Sequence, residues 1–383
     1  MRQTILLIDG DPHITEALGM ALECDGRTVI VCSDVESGEL ALRRFPVTDV
    51  VTDVQFSGLF GFEGLHFLER IRAMMPQGRV ILMTGYASDV LRGAAAGYGA
   101  TTLLGKPFEV HELEALLGMP QGNDEPYELI KVPSIDDILS ERLLGTAFQP
   151  IVAFGNGGGQ RVGADGAPFA FEALTRVHGG WPGGGPAELF EYAAKRSRAI
   201  ELNRAAAVLA VEEGAALPEG SLIFINVDPP TFNDPRLIAD LVAASQRSGL
   251  SLDRIVLEVT ERSSIIENGS SVENFEALRK HGVRFALDDH GSAYSHLSTI
   301  STIQPSFIKI SGVFGTDFES NADKERVIRH VVALAHDFGC VTVLEGIETR
   351  QTADAAANLG IELAQGYFFS RPLDISHWRQ AVA

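Results

Sequence analysis

What most constrains this chain is an alternation: short apolar runs rich in Val, Ile and Leu, each followed by a longer segment with helical spacing. In the first 118 residues "TILLID" precedes "HITEALGMALECDG", "TVIVC" precedes "ESGELALRRF" and "DVVTD" precedes "EGLHFLERIRAMM"; "RVILMTG" and "TTLLG" then precede "DVLRGAAAGYGA" and "EVHELEALLG". Five strand–helix pairs predict an α/β domain, a doubly wound five-stranded parallel sheet. In such sheets ligands sit beyond the carboxyl ends of the strands, where this chain has Asp9, Asp11, Asp53, Thr84 and Lys106.

The alternation pauses at "GMPQGNDEPYELIKVP". Its Pro, Gly and acids, with little periodicity, read as a linker over residues 119–139 before a second domain over 140–383. Eight strand-like runs follow over about 240 residues: "AFQPIV", "FAFEAL", "LIFINV", "RIVLEV", "VRFALDD", "SFIKI", "VTVLEG" and "LAQGYFF". That is the arithmetic of a (β/α)8, TIM-like barrel. The first two runs are joined by "GNGGGQRVGADGAP" rather than a helix. Its glycines suggest a phosphate loop, but such a loop opens directly into a helix, so a flexible hairpin is expected.

At 383 residues and 45% hydrophobic, the chain can bury a sizeable core. No apolar run approaches the roughly 20 residues of a membrane span, and acids follow "MRQTILLIDGDP" too soon for a signal peptide, so a cytoplasmic protein without membrane association is expected. Cys24, Cys32 and Cys340 lack metal-ligand spacing and read as small hydrophobes in a reducing compartment. A net charge of -20 argues against direct nucleic-acid binding, because backbone phosphates need Lys and Arg to displace their counterions. Something other than net charge must hold any anionic ligand.

The strand ends of the second domain supply a candidate. Glu172, Asn226, Glu258, the pair Asp288 and Asp289, Lys309, Glu345 and Gln365 each fall near the carboxyl end of a strand-like run. That is the face where barrel enzymes build their sites. Any one of them is as easily a helix cap or a turn; seven strands sharing the feature is a pattern. Five carboxylates in one mouth raise each other's pKa unless cations compensate. Oxygen donors without clustered Cys or His favour Mg2+ or Mn2+ over zinc. Two such metals can activate water and neutralise charge at a phosphorus centre. Proton abstraction beside a carboxylate is a competing chemistry for such acids and a lysine.

The motifs "FQPIV", "FEALTR", "FIN", "LEVTE", "ALDDHG", "IKI", "LEGIE" and "QGYFFSRPL" occur in the order found in EAL phosphodiesterases. Over about residues 140 to 375 the chain resembles that family, whose members cleave cyclic di-GMP to linear pGpG. The resemblance implies that Glu172, Asn226, Glu258 and Asp288 hold one metal, and that Asp288, Asp289 and Glu345 serve a second. Lys309 would position the nucleophilic water, and Glu345 is open to a general-base role as well. Gln149, Leu174, Arg176 and Gln365 would contact substrate, Glu348 would support the site, and Glu261 would steady the loop after the Asp pair. A homodimer is implied too. That loop departs from the family's DFGTGYSS at His290, Ser292, Ala293 and His296, and Ser311 replaces a usual Asp. The alternative is a cyclic di-GMP receptor without turnover; loss of a metal ligand would favour it, and none is lost.

"LLIDGDPHI", "VVTDVQFSGLFGFEGL", "ILMTG" and "LLGKPF" resemble the CheY-like receiver domains of response regulators across residues 1–118. By that resemblance Asp53 accepts a phosphoryl group from a sensor histidine kinase, with Asp9 an acidic metal partner. Thr84 would be the switch hydroxyl and Lys106 the phosphate contact. Gly10 stands where a second acid is usual, Phe56-Ser57 where Met-Pro is usual, and Leu103 where an aromatic switch residue is usual. Asp11 is present but does not obviously replace the missing ligand. A degenerate receiver, used for docking or dimerisation, is the alternative for this domain.

Overall fold

Successive residues of a strand point to opposite faces, so a continuously apolar strand suits a sheet covered on both sides. β1 (Gln3–Ile8) is such a strand in this computed structural model: Ile5 and Leu7 join one core, and Leu6 and Ile8 the other. The structure describes residues 2–53, 63–85, 88–120, 125–154, 160–161, 168–179, 181–260, 270–290 and 297–380. Its first unit comprises Met1–Leu143 and Val177–Arg198; its second, Leu144–Arg176 and Ala199–Ala383. Among the described residues no helix is long and apolar enough to cross a membrane.

In the first unit β1 is followed by β2 (Arg27–Cys32), β3 (Asp49–Asp53), β4 (Arg79–Thr84), β5 (Thr102–Gly105) and β6 (Glu128–Lys131). All pair in parallel, in the order β5-β4-β3-β1-β2-β6. The helices are α1 (Pro12–Ala21), α2 (Val35–Arg44), α3 (Glu63–Met74), α4 (Asp89–Gly97), α5 (Val110–Leu117), α6 (Ile135–Ser140) and α7 (Pro186–Lys195). The doubly wound sheet is the expected one with a strand added. β6 and α6 lie inside the stretch read as a linker, and β6 covers the edge of β2. Short as it is, "ELIK" is followed by the buried Val132 and Ile135.

The second unit holds β7 (Leu144–Phe154), β8 (Gln160–Arg161), β9 (Ala170–Val177), β10 (Leu222–Asn226), β11 (Ile255–Thr260), β12 (Arg284–His290), β13 (Phe307–Ile310), β14 (Val341–Leu344), β15 (Leu363–Ala364) and β16 (Leu373–Asp374). Its helices are α8 (Ala199–Gly214), α9 (Pro229–Phe232), α10 (Arg236–Ser248), α11 (Ser270–Lys280), α12 (Leu297–Ile303), α13 (Gly312–Gly315), α14 (Ala322–Asp337), α15 (Arg350–Asn358) and α16 (Ile375–Gln380). β7 and β9 through β15 form a sheet that β15 closes by pairing back to β7. The barrel is eight-stranded as expected, but β7 runs against the rest. Among the described residues no helix lies between β7 and β9, in keeping with an antiparallel first strand. The stretch Val177–Arg198 that follows β9, including α7, clusters with the first unit.

Candidate active site

The strands aim the polar residues by their period of two. Ala170, Phe224, Val256, Ala286, Phe307, Val343 and Leu363 share one apolar cluster, distinct from the larger one that carries Ile223, Ile225 and the helix residues. Two residues further along each strand, on the same face, come Glu172, Asn226, Glu258, Asp288, Lys309, Glu345 and Gln365. On β7, Ile151 belongs to that cluster and Gln149 lies two residues before it, because this strand runs the other way. All these side chains therefore rise to one end of the barrel.

They meet around Lys309, which is 1% exposed. Its Nζ lies 2.7 Å from Glu345 Oε1, 2.9 Å from Glu258 Oε1, 3.4 Å from Asp288 Oδ1 and 3.6 Å from Glu172 Oε1. Four carboxylates thus face one ammonium. Burial alone would lower the Lys309 pKa, but Asp288, Glu172, Glu258 and Glu345 overcome it and hold the ammonium well above its ordinary value. Burial drives Glu258 well above the carboxylate range, with Glu172 and Asp288 adding to it against Lys309. Burial likewise raises Glu345 to about 7, opposed by Lys309 and reinforced by Asp288 and Glu172. The cluster is short of positive charge.

Glu172 is braced on both oxygens. Asn226 Nδ2 donates to Oε1 at 3.0 Å and Gln365 Nε2 to Oε2 at 2.6 Å. Gln365 also donates to Gln149 Oε1 at 3.0 Å, while Gln149 Nε2 donates to the carbonyl of Ser370 at 3.0 Å. Two glycines make room for the network. Gly346, at φ +72°, would place a Cβ 2.8 Å from the Gly312 backbone, and Gly366 would place one 2.0 Å from the Ile347 carbonyl. The glycines of "LEGIE" and "QGYFF" are thus required by close backbone approach.

A cavity of about 430 Å3 opens here, lined by Gln149, Glu172, Leu174, Asp288, Gly312, Glu345, Gly346, Glu348, Gln365, Gly366 and Tyr367. Seven sequence-predicted residues line it, Lys309 and Glu258 lie in the cluster of charges, and Asn226 braces Glu172. Arg176 turns its Nη1 to the carbonyl of Thr175 at 2.8 Å and does not line the cavity. Glu261 and the side chain of Asp289 lie outside the described residues, as does the loop 291–296 and the side chain of His290. Tyr367 was not singled out from the sequence, although it stands in the quoted "QGYFFSRPL". The residue is 54% exposed, with the Arg371 guanidinium 4.3 Å from its ring centroid.

The donor set suits hard divalent cations. Glu258 Oε1 and Asp288 Oδ1 are buried without a hydrogen bond, although both stand within ion-pair distance of Lys309. Among the described residues no three His, Cys, Asp or Glu side chains form a ready-made metal cluster. The carboxylates converge instead on Lys309. Chemically, the arrangement can hold cations, orient water and stabilise charge at a phosphate.

In the first unit the expected acidic site is also assembled. Lys106 Nζ lies 2.6 Å from Asp9 Oδ2 and 2.7 Å from Asp53 Oδ2. Burial lowers the Lys106 pKa, but hydrogen bonds to Asp53 and Asp9 outweigh it and leave a net rise. Thr84 is buried at the end of β4, and its carbonyl accepts from Lys106 N at 2.7 Å. Asp11 is engaged otherwise: Oδ1 accepts from His13 N at 2.9 Å and caps α1. Leu103 is 8% exposed and packs in the core with Phe67 and Leu82.

Comparison with known proteins fits this geometry. The EAL domain profile matches residues 134–372, and the response regulator receiver domain profile matches residues 5–118. Cyclic di-GMP phosphodiesterase RocR of Pseudomonas aeruginosa is 28% identical over 345 residues, covering 86% of this chain and 85% of RocR. The uncharacterized protein y4lL of Sinorhizobium fredii is 30% identical over 218 residues, covering 56% of this chain but only 26% of y4lL. The chain thus spans most of one relative and about a quarter of the other. Klebsiella pneumoniae BlrP1, solved at pH 6 as a complex with manganese and cyclic di-GMP, aligns with a TM-score of 0.52 at 30% identity, over 60% of this chain and 56% of BlrP1.

Proposed function

The chain belongs to the EAL domain family and carries a receiver domain at residues 5–118, and from that premise we propose that it is a receiver-regulated phosphodiesterase that opens cyclic di-GMP to linear pGpG. The observation that carries this reading is the convergence of Glu172, Glu258, Asp288 and Glu345 on Lys309 at one end of the barrel. RocR, which bears the name of a cyclic di-GMP phosphodiesterase, matches over 86% of this chain, and BlrP1 was solved with manganese and cyclic di-GMP.

Glu172, Asn226, Glu258 and Asp288 would hold one Mg2+ or Mn2+, and Asp288, Asp289 and Glu345 a second. Bound there, the cations would neutralise charge at phosphorus and activate water. The chain's own groups do the rest. Lys309 turns N–H donors toward the cluster and positions the attacking water, fixed in place by the carboxylates around it. With no cation beside it, burial raises Glu345 to about 7; as a metal ligand it would stay ionised and lend its charge to the site. Gln149, Leu174, Arg176 and Gln365 meet the nucleotide, Glu348 supports the site, Glu261 steadies the loop after the Asp pair, and the exposed ring of Tyr367 offers a face to a base. In the receiver domain Asp53 accepts a phosphoryl group from a sensor histidine kinase, with Asp9, Thr84 and Lys106 around it. The working form is a cytoplasmic homodimer. Chromatography after incubating the protein with cyclic di-GMP and Mn2+ or Mg2+ tests the reading: pGpG is expected, and tight binding without product would make the chain a receptor instead.

A further inference from the structure

β9 lies between β7 and β10 in the sheet. It is in register with β10 from Ala170 to Ala173, and Glu172 is braced by Asn226 and Gln365. Leu174 and Arg176 come after that register, where β9 keeps β7 as its neighbour but, among the described residues, has no register partner on β10. Beyond them the chain enters Val177–Arg198, which clusters with the receiver sheet in the first unit. There His178 N donates to the carbonyl of Leu143 at 2.8 Å. α7 then buries Leu189, Tyr192 and Ala193, spaced as one helical stripe.

Tyr192 is the distinctive member of that stripe. It is 2% exposed and packs beside Trp181, with ring centroids 5.5 Å apart. Its hydroxyl donates to Asp34 Oδ2 at 2.7 Å, and the other oxygen of Asp34 accepts from Ser37 N, also at 2.7 Å, capping α2. Burial, followed by Asp34, raises the phenol's pKa, so it stays a donor at neutral pH. Arg196 is half-exposed, 3.3 Å from Glu36 and 4.0 Å from Asp34 Oδ2, and Arg198 lies 2.9 Å from the exposed Asp136, so these pairs contribute little. The hydroxyl–carboxylate bond is a polar tie with both partners buried.

We propose that Tyr192 is a positioning residue: its bond to the α2 cap clamps Val177–Arg198 to the receiver domain, and the clamp fixes where the end of β9 presents Leu174 and Arg176 to substrate. This rests on the cyclic di-GMP reading for its catalytic consequence, though not for the clamp itself. Because Glu172 is braced by barrel residues, loosening the clamp should disturb substrate contacts more than the cluster at Lys309.

Two variants of the full chain test it. Tyr192→Phe deletes only the hydroxyl, and Asp34→Asn keeps a capping side chain while removing the charge. Both should raise KM for cyclic di-GMP about three- to tenfold with kcat changed less than about twofold, the pattern of lost uniform binding. Amide exchange over 170–178 should quicken about tenfold or more while the amides of β11 and β13 keep their protection. Unchanged exchange over 170–178, or faster exchange with unaltered KM, would overturn the proposal. If wild-type protein forms no pGpG, the functional reading fails separately. Faster exchange with weakened cyclic di-GMP binding would then still support the clamp, and unweakened binding would overturn it.

Discussion

Lys309 shows how much of the site follows from single residues. A lysine at 1% exposure is tolerable because Glu172, Glu258, Asp288 and Glu345 surround it, and each acid is tolerable only in part because one lysine cannot balance them all. The pH dependence follows with a definite sign. Burial raises the Glu345 carboxyl from 4.5 to about 7 in the folded protein. The native state then binds this proton more tightly than the unfolded chain, so the contribution of Glu345 to stability is full below about 4.5 and is lost as pH climbs through about 7. In metal-free protein the decline should reach as much as about 3 kcal/mol, read as a falling melting temperature. Glu345→Gln should make it shallower, and Mn2+ should remove it; a metal-free decline between about pH 5 and 7.5 that is as steep in Glu345→Gln as in the wild type would refute the assignment. In the receiver domain, Asp9 and Asp53 share Lys106 while Asp11 is spent on capping α1, so Gly10 leaves the acidic pair incomplete. Beryllofluoride should bind weakly at submillimolar Mg2+ and more tightly in Gly10→Asp, as monitored by fluorescence or NMR. Equal binding in both would show that the third carboxylate is dispensable.

At the scale of elements, the legible part was whatever periodicity controls. Every strand-end residue from Glu172 to Gln365 could be read because its neighbour two places back is apolar and shares its face. Tyr367 and the fold of Arg176 onto Thr175 depend on how a loop and a strand end turn, which no spacing encodes. The direction of β7 was half visible: the missing helix before β9 announced a reversal, and Gln149 lies on the opposite side of Ile151 from its counterparts on the parallel strands. β6 was missed because four residues are too few to display a pattern and the Pro and Gly around them dominate. It is nevertheless structural, pairing Thr28 through Val31 of β2 with Glu128 through Lys131. A fragment ending at residue 118 should therefore melt about 5 °C or more below one ending at 133 and aggregate more readily, since its β2 edge is bare. Equal melting temperatures would mean that β6 merely rests against the sheet.

For the whole molecule, a net charge of -20 would repel an anionic dinucleotide, and at the end of the barrel the acids exceed the counter-charge of Lys309. On the proposed function, divalent cations fill that deficit and make the cluster hydrolytic. The most direct test follows pGpG formation by chromatography after EDTA treatment and stepwise return of Mn2+, with Glu345→Ala alongside. No product should form in EDTA, Mn2+ should restore it, and Glu345→Ala should remain slower by about a thousandfold or more because a ligand and its charge are both gone. Product at an undiminished rate in EDTA, or none at any Mn2+ concentration while cyclic di-GMP still binds, would contradict the account.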